Sequence, residues 1–290
     1  MTIIGWDKFR ILVTNGCNYR CPFCHNEGQE KGTKATYMSF DDFKNLIDFL
    51  KSQSISECVI SGGEPFLHPD ITEMLLYACN NLNCDVSCAT NLYRITNSDI
   101  AKLSNTRIKF NIQFPYLDEI RFAESTGNGK LSTILSNIEK VRAAGIKIGL
   151  NTVIQSSEKP LLEEMIKFAT NNQLPLKLLP QIGGENSQEY KEWVFPIIRK
   201  YAISERDKGT GAIRWEIAID GNKTSVLYID SPCFLRDIAT CKRFGELRIH
   251  PGLFMQSCIE KPLSGQLDFT KGEESVINQL VKEWNNFKKC

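Results

Sequence analysis

Apolar and polar positions alternate in short runs along the first two thirds of the chain, and between those runs they recur at helical spacing. Arg10 to Thr14 reads as a strand, and Ser39 to Lys51 as an amphipathic helix with Phe40, Phe43, Leu46, Ile47 and Leu50 on one face. Ser39 followed by Asp42 predicts an N-cap with an acidic first turn, which suits the positive end of a helix. Further strands are predicted over Cys58 to Ser61, Asp85 to Thr90, Ile108 to Phe114, Ile146 to Ile154 and Leu176 to Pro180. Helices are predicted between them, over Ile71 to Asn80, Asn97 to Leu103, Leu131 to Ala144 and Pro160 to Asn171, with Gly145 stopping the third. Regular βα alternation implies parallel strands with helices outside. The expected fold is α/β, a partial (β/α)6 TIM-type barrel whose site lies at the C-terminal ends of the strands.

After Gln181 the pattern changes. A helix is predicted over Gln188 to Ile203. Arg214 to Ile219 and Lys223 to Ile229 flank Asp220-Gly221, a strong hairpin signal. Glu246 to Ile249 and Leu253 to Ser257 predict a second hairpin around Pro251-Gly252, followed by a closing helix over Glu274 to Phe287. The predicted organisation is a barrel core over 1–185, a helix and hairpin linking region over 186–230, and a small antiparallel extension over 231–290.

Charge and composition narrow the function. Lys+Arg is 35 against Asp+Glu 34, so net charge argues for no nucleic-acid and no membrane partner. No apolar run approaches the roughly 18 residues of a membrane span. Met1 to Asp7 lacks the basic and apolar stretches of an export signal, so a reducing cytoplasm is the expected location. Eleven cysteines then read as metal ligands rather than as a disulfide framework.

Three of those cysteines, Cys17, Cys21 and Cys24, stand as Cys-x3-Cys-x2-Cys in the first βα loop. Thiolates are the usual ligands of iron–sulfur clusters, and three of them leave one iron of a four-iron cluster open. A structural zinc normally takes four protein ligands, and His25, directly after Cys24, is poorly placed to chelate as the fourth. A second group, Cys233, Cys241 and Cys258, is spaced Cys-x7-Cys-x16-Cys, which reads either as a second cluster or as unrelated buried cysteines. Cys58 and Cys88 fall in strands and read as core. Cys79 and Cys84 flank a turn and read as core or partly exposed. Cys290 reads as a free terminal thiol or as a further cluster ligand, and His68 as a loop-packing residue.

The first cysteine triad, with Phe23 between its last two members, resembles the signature of the radical S-adenosylmethionine (radical SAM) superfamily. Gly62-Gly63-Glu64-Pro65 after the second strand, Thr90-Asn91 at the end of the third, Gln113 in the fourth and Asn151 in the fifth match further positions of that family. The resemblance implies an enzyme with a [4Fe-4S] cluster that cleaves S-adenosylmethionine to a 5′-deoxyadenosyl radical, which takes hydrogen from a substrate. It implies that Phe23, Gly62, Gly63, Glu64, Pro65, Thr90, Asn91, Gln113 and Asn151 hold S-adenosylmethionine. It also implies a reducing partner such as flavodoxin or ferredoxin. The two glycines are expected to let backbone approach the methionyl group, and Glu64 or its neighbouring carbonyls to take the ammonium.

Phe122 to Ile154, Thr240-Cys241-Lys242-Arg243, Leu247-Arg248-Ile249 and Cys258 are similar to the GTP cyclase family of molybdenum cofactor biosynthesis. That similarity implies an auxiliary cluster on Cys233, Cys241 and Cys258, and substrate contacts from Arg10, Arg243 and Arg248. The match departs where Ile238 stands in place of a ligand and where the tail ends Lys288-Lys289-Cys290. Three readings stay open: a small-molecule or nucleotide radical enzyme, a radical maturase of a peptide or protein, and a non-catalytic cluster protein.

Overall fold

In the computed structural model the described residues are 4–24, 34–127, 129–154, 159–182, 189–229, 233 and 236–289. The barrel strands are β1 (Lys8–Leu12), β2 (Glu57–Ser61), β3 (Asp85–Thr90), β4 (Lys109–Gln113), β5 (Lys147–Ile154) and β6 (Leu176–Pro180). The helices between them are α1 (Phe40–Lys51), α2 (Ile71–Asn81), α3 (Asn97–Leu103), α4 (Glu119–Thr126), α5 (Leu131–Ala143) and α6 (Lys159–Asn171). Period-two alternation explains both faces of the sheet. Phe9, Ile11, Cys58, Ile60, Val86, Cys88, Phe110 and Ile112 are buried under the helices. The intervening positions Arg10, Asn111, Gln113 and Lys177 line a cavity instead. Helix α1 is fixed by the Ser39 hydroxyl, which accepts from Asp42 N at 3.0 Å, and by burial of Phe43, Leu46, Ile47 and Leu50. Such a side chain contributes about 1.5–3 kcal/mol when fully buried.

The C-terminal part comprises α7 (Tyr190–Arg199), β7 (Ala202–Asp207), β8 (Ala212–Ile219), β9 (Asn222–Ile229), α8 (Ile238–Phe244), β10 (Glu246–His250), β11 (Phe254–Gln256) and α9 (Glu273–Asn286). Both expected hairpins are antiparallel. The first turns at Asp220 and Gly221, whose φ angles of 50° and 83° are those of a tight hairpin turn. Each hairpin also does something its local pattern does not announce. Strand β9 docks parallel to β6, and β10 docks parallel to β1. The result is one sheet in the order β11-β10-β1-β2-β3-β4-β5-β6-β9-β8-β7. The six-stranded partial barrel is thereby lengthened at both edges, and β10 brings its side chains beside β1.

Four elements differ from the sequence reading. The helix expected over 188–203 ends at Arg199, and β7 follows; Gln188 itself lies outside the described residues. Strand β7 hides from pattern reading because Ser204, Glu205, Arg206 and Asp207 are all exposed, as suits a charged edge. Helices α4 and α8 are short and polar. Their signals are the Asp118 and Asp237 caps and the left-handed Gly127 and Gly245 that end them. No helix among the described residues is long and apolar enough to cross a membrane.

Candidate active site

The loop after β1 carries Cys17, Cys21 and Cys24, and all three line a cavity of about 380 Å³ at the C-terminal ends of the strands. The loop is held from two sides, by the end of α4 and by the loop after β2. Arg20 N donates to Thr126 O at 2.8 Å, Glu64 N to Gly16 O at 2.7 Å, and Gly63 N to Thr14 O at 2.8 Å. Burial, then the neighbouring thiols of Cys17 and Cys24, push the Cys21 thiol up to about 12. Among the described residues no three His, Cys, Asp or Glu side chains converge as one ion requires. Three thiols on one loop, with no fourth described ligand beside them, are the ligand set of a four-iron cluster with one iron open rather than of a four-coordinate structural zinc.

Gly62 and Gly63 are needed for the packing of two loops. A Cβ on Gly62 would lie 2.5 Å from Thr14 O, and one on Gly63 would lie 2.1 Å from Gly16 O and 3.0 Å from Cys17 Cβ. Their missing side chains let the loop after β2 pack against the cysteine loop, leaving both glycines on the cavity wall.

Glu64 has no exposed surface. Its Oε1 accepts from Phe66 N at 3.1 Å and Thr90 Oγ1 at 2.6 Å, and its Oε2 from Asn91 N at 2.7 Å. Asn91 Nδ2 donates in turn to Asn18 Oδ1 at 2.9 Å, which ties the end of β3 to the cysteine loop. Burial raises the Glu64 carboxyl to about 7 against the pull of these bonds. Glu64 is therefore a tie between loops, and the half-buried Gly62 and Gly63 line the cavity beside it. Pro65 is buried at the first position of a short 3-10 turn, Pro65–Leu67, and does not line the cavity.

Gln113 and Asn151 face each other across β4 and β5. Gln113 Nε2 and Asn151 Oδ1 are buried without hydrogen-bond partners among the described residues, as is Tyr19 Oη. All three residues line the cavity, as does the buried Phe23. One orphaned donor and one orphaned acceptor beside a cavity mark a place where a polar ligand completes the bonding.

Another part of the lining is charged. Arg10, Lys177, Glu246 and Arg248 all face the cavity. Arg10 Nε and Nη2 each donate to a Glu246 oxygen at 3.2 Å, and Arg248 Nη2 lies 2.9 Å from Glu246 Oε1. Burial opposes charge on Glu246, but Arg10 and Arg248 outweigh it and hold the carboxyl at about 2. Burial pulls the Lys177 ammonium down to about 8. Arg243, expected with the other arginines, is absent from this lining. It sits on α8, and its Nη2 donates to Thr240 Oγ1 at 2.7 Å.

The family model described as the radical SAM superfamily matches residues 11–169, more than half of the chain. The chain belongs to the radical SAM superfamily. Curated relatives include the GTP 3′,8-cyclase of Clostridium perfringens, 27% identical over 87% of this chain and 80% of that protein. The GTP 3′,8-cyclase of Helicobacter pylori is 24% identical over 97% of this chain and 92% of its own. Among solved structures, Streptococcus suis SuiB bound to S-adenosylmethionine superposes with a TM-score of 0.69 at 15% identity. It covers 89% of this chain, which spans 63% of SuiB. BtrN in complex with AdoMet and 2-DOIA gives a TM-score of 0.50 at 12% identity, over 98% of this chain and 87% of that one.

A radical SAM enzyme carries a four-iron cluster and S-adenosylmethionine. The residues here fit both groups, with three thiols on one loop and orphaned amide atoms facing the same space. The remaining cysteines divide by burial. Cys58, Cys79, Cys84 and Cys88 are buried, whereas Cys233, Cys241 and Cys258 are half-buried, like the first triad. Cys79 and Cys84 thus join the core. Phe244 and Ile259, neighbours of Cys241 and Cys258 in sequence, line the cavity while those cysteines do not. His68 packs its loop: its Nδ1 accepts from Asp70 N at 3.0 Å, and its Nε2 meets Met38 O at 2.9 Å. His25 and Cys290 lie outside the described residues. Lys177 and Glu246 are the functional candidates that sequence reasoning missed. A lone lysine between Leu176 and Leu178 on an otherwise apolar strand was a legible signal for the first. Glu246 had none, because its partners depend on the β1–β10 pairing.

Proposed function

We propose that this radical SAM enzyme abstracts hydrogen from a small-molecule or nucleotide substrate held against Arg10, Lys177 and Arg248. The carrying observation is one cavity that joins the Cys17, Cys21 and Cys24 thiols, the Gln113–Asn151 pair and this charged wall. Cluster and S-adenosylmethionine, when bound, supply one-electron cleavage of the sulfonium bond and hence a carbon-centred radical. The chain's own residues do the rest. Gly62 and Gly63 give the methionyl end a smooth wall, Phe23 offers an apolar face to the adenine, and Gln113 and Asn151 supply a donor and an acceptor. Thr90, Asn91 and Glu64 hold those loops in register. Half-burial of Cys233, Cys241 and Cys258 supports a second cluster beside the substrate space. The names of the curated relatives bring GTP forward as one candidate substrate.

Anaerobic reconstitution and iron analysis test the cluster part. Two four-iron clusters give about eight irons per chain, and about four would remove the second site. Stimulation of 5′-deoxyadenosine formation by small anions and nucleotides tests the substrate part. Stimulation by a precursor peptide alone would replace this reading with that of a peptide maturase.

A further inference from the structure

An arginine pair beside a cavity ordinarily invites a polyphosphate, because the guanidinium fork matches two phosphate oxygens. Here that fork is occupied. Arg10 turns both Nε and Nη2 onto the two oxygens of Glu246, and Arg248 Nη2 lies on Glu246 Oε1. The Glu246 side chain is only 7% exposed, so water does little to screen its charge. The arginine–glutamate–arginine group therefore presents at most one net positive charge to the cavity, not two. Lys177 adds another. Its Nζ makes no hydrogen bond or ion pair within the described residues, and it is held between Asn151 on β5 and Leu227 on β9. Glu64, the other carboxylate among the described residues of the lining, has no exposed surface.

We propose that Glu246 sets the charge of the substrate: the site takes a molecule with a single anionic group, a carboxylate or one phosphate, anchored on Lys177, and rejects polyphosphates. The proposal rests on reading this cavity as the substrate site of a radical SAM enzyme. A triphosphate would bring more negative charge than the lining can match and would set part of it against a buried carboxylate. Like charges so placed discriminate strongly against the wrong ligand. A single carboxylate or phosphate leaves the arginine–glutamate group intact and completes the bonding of Lys177. The assignment runs against the substrate named for the curated relatives, since GTP is a polyphosphate.

The test is calorimetric titration of the anaerobically reconstituted, S-adenosylmethionine-loaded protein with GMP and GTP, and with inorganic phosphate and acetate. GMP is expected to bind at least about tenfold more tightly than GTP. Glu246→Gln, which frees the Arg10 fork and removes a negative charge, is expected to reverse that order. Lys177→Met is expected to weaken whichever single anion binds by at least about tenfold. Binding of acetate but not phosphate assigns a carboxylate substrate, and the opposite result assigns a phosphomonoester. Equal or tighter binding of GTP by the unaltered protein overturns the proposal, as does failure of every single anion to bind. The order found for the unaltered protein stands without either variant folding. Reductive cleavage of S-adenosylmethionine, assayed on the same preparation, separates failure of this proposal from failure of the radical enzyme reading.

Discussion

Replacing Glu64 with glutamine tests the buried tie at the heart of the site. Burial lifts the Glu64 carboxyl from its ordinary 4.5 to about 7. A group raised on folding contributes stability that is fully present below its unfolded value and is lost as pH rises through its folded value. At about 1.4 kcal/mol per pH unit, that loss amounts to about 3 kcal/mol between pH 4.5 and 7. Glutamine does not titrate, so the variant lacks this loss. It does place an amide donor against one existing donor, Asn91 N or Thr90 Oγ1, at a cost of about 1–3 kcal/mol that is independent of pH. Glu64→Gln is thus expected to be less stable than the unaltered protein at pH 4.5 by about 1–3 kcal/mol, and equal or more stable at pH 8. Urea unfolding of the cluster-free, reduced proteins, followed by tryptophan fluorescence, measures both ends. All other titrating groups cancel in the difference between the two proteins. A stability difference that stays constant to within about 1 kcal/mol across this range refutes the assignment of a buried, titrating carboxyl.

Other substitutions probe the remaining parts. Gly63→Ala drives a methyl group toward Gly16 O and Cys17 Cβ, so iron content should fall sharply while far-ultraviolet circular dichroism is kept; Gly145→Ala, with open space around it, should cost about 1 kcal/mol and leave iron intact. Normal iron content in Gly63→Ala would show that the loops do not need this contact. Cys21→Ala should abolish the first cluster, whereas Cys58→Ala should cost about 1–2 kcal/mol of stability and leave the iron content unchanged. Gln113→Leu should weaken S-adenosylmethionine binding by about tenfold in equilibrium dialysis, with stability unchanged or raised, because it removes an orphaned buried donor. A stability loss with unchanged binding would make Gln113 a structural amide.

The barrel was largely legible in the sequence because its signals are local. Strand β3, helix α3 and strand β6 fall where periodicity placed them, and the Ser39 cap forms as read. The cysteine loop and the Gly62-Gly63 turn were legible for the same reason. What stayed hidden depends on pairing between distant segments. Nothing near Glu246 says that β10 will lie beside β1, so its place on the cavity wall between Arg10 and Arg248 is not legible in the sequence. The glycines are legible in the sequence, but the room that their missing side chains make for the neighbouring loop depends on how distant segments pack. Of the two groups expected to take the ammonium, the Glu64 carboxylate or its neighbouring carbonyls, the carboxylate already accepts from three protein donors.

The measurement that bears most directly on the whole account is reductive turnover of S-adenosylmethionine by the reconstituted protein under strict anaerobiosis. The account predicts 5′-deoxyadenosine and methionine in equal amounts after reduction, and neither from Cys21→Ala. A full complement of iron with no cleavage by the reduced, unaltered protein would contradict it.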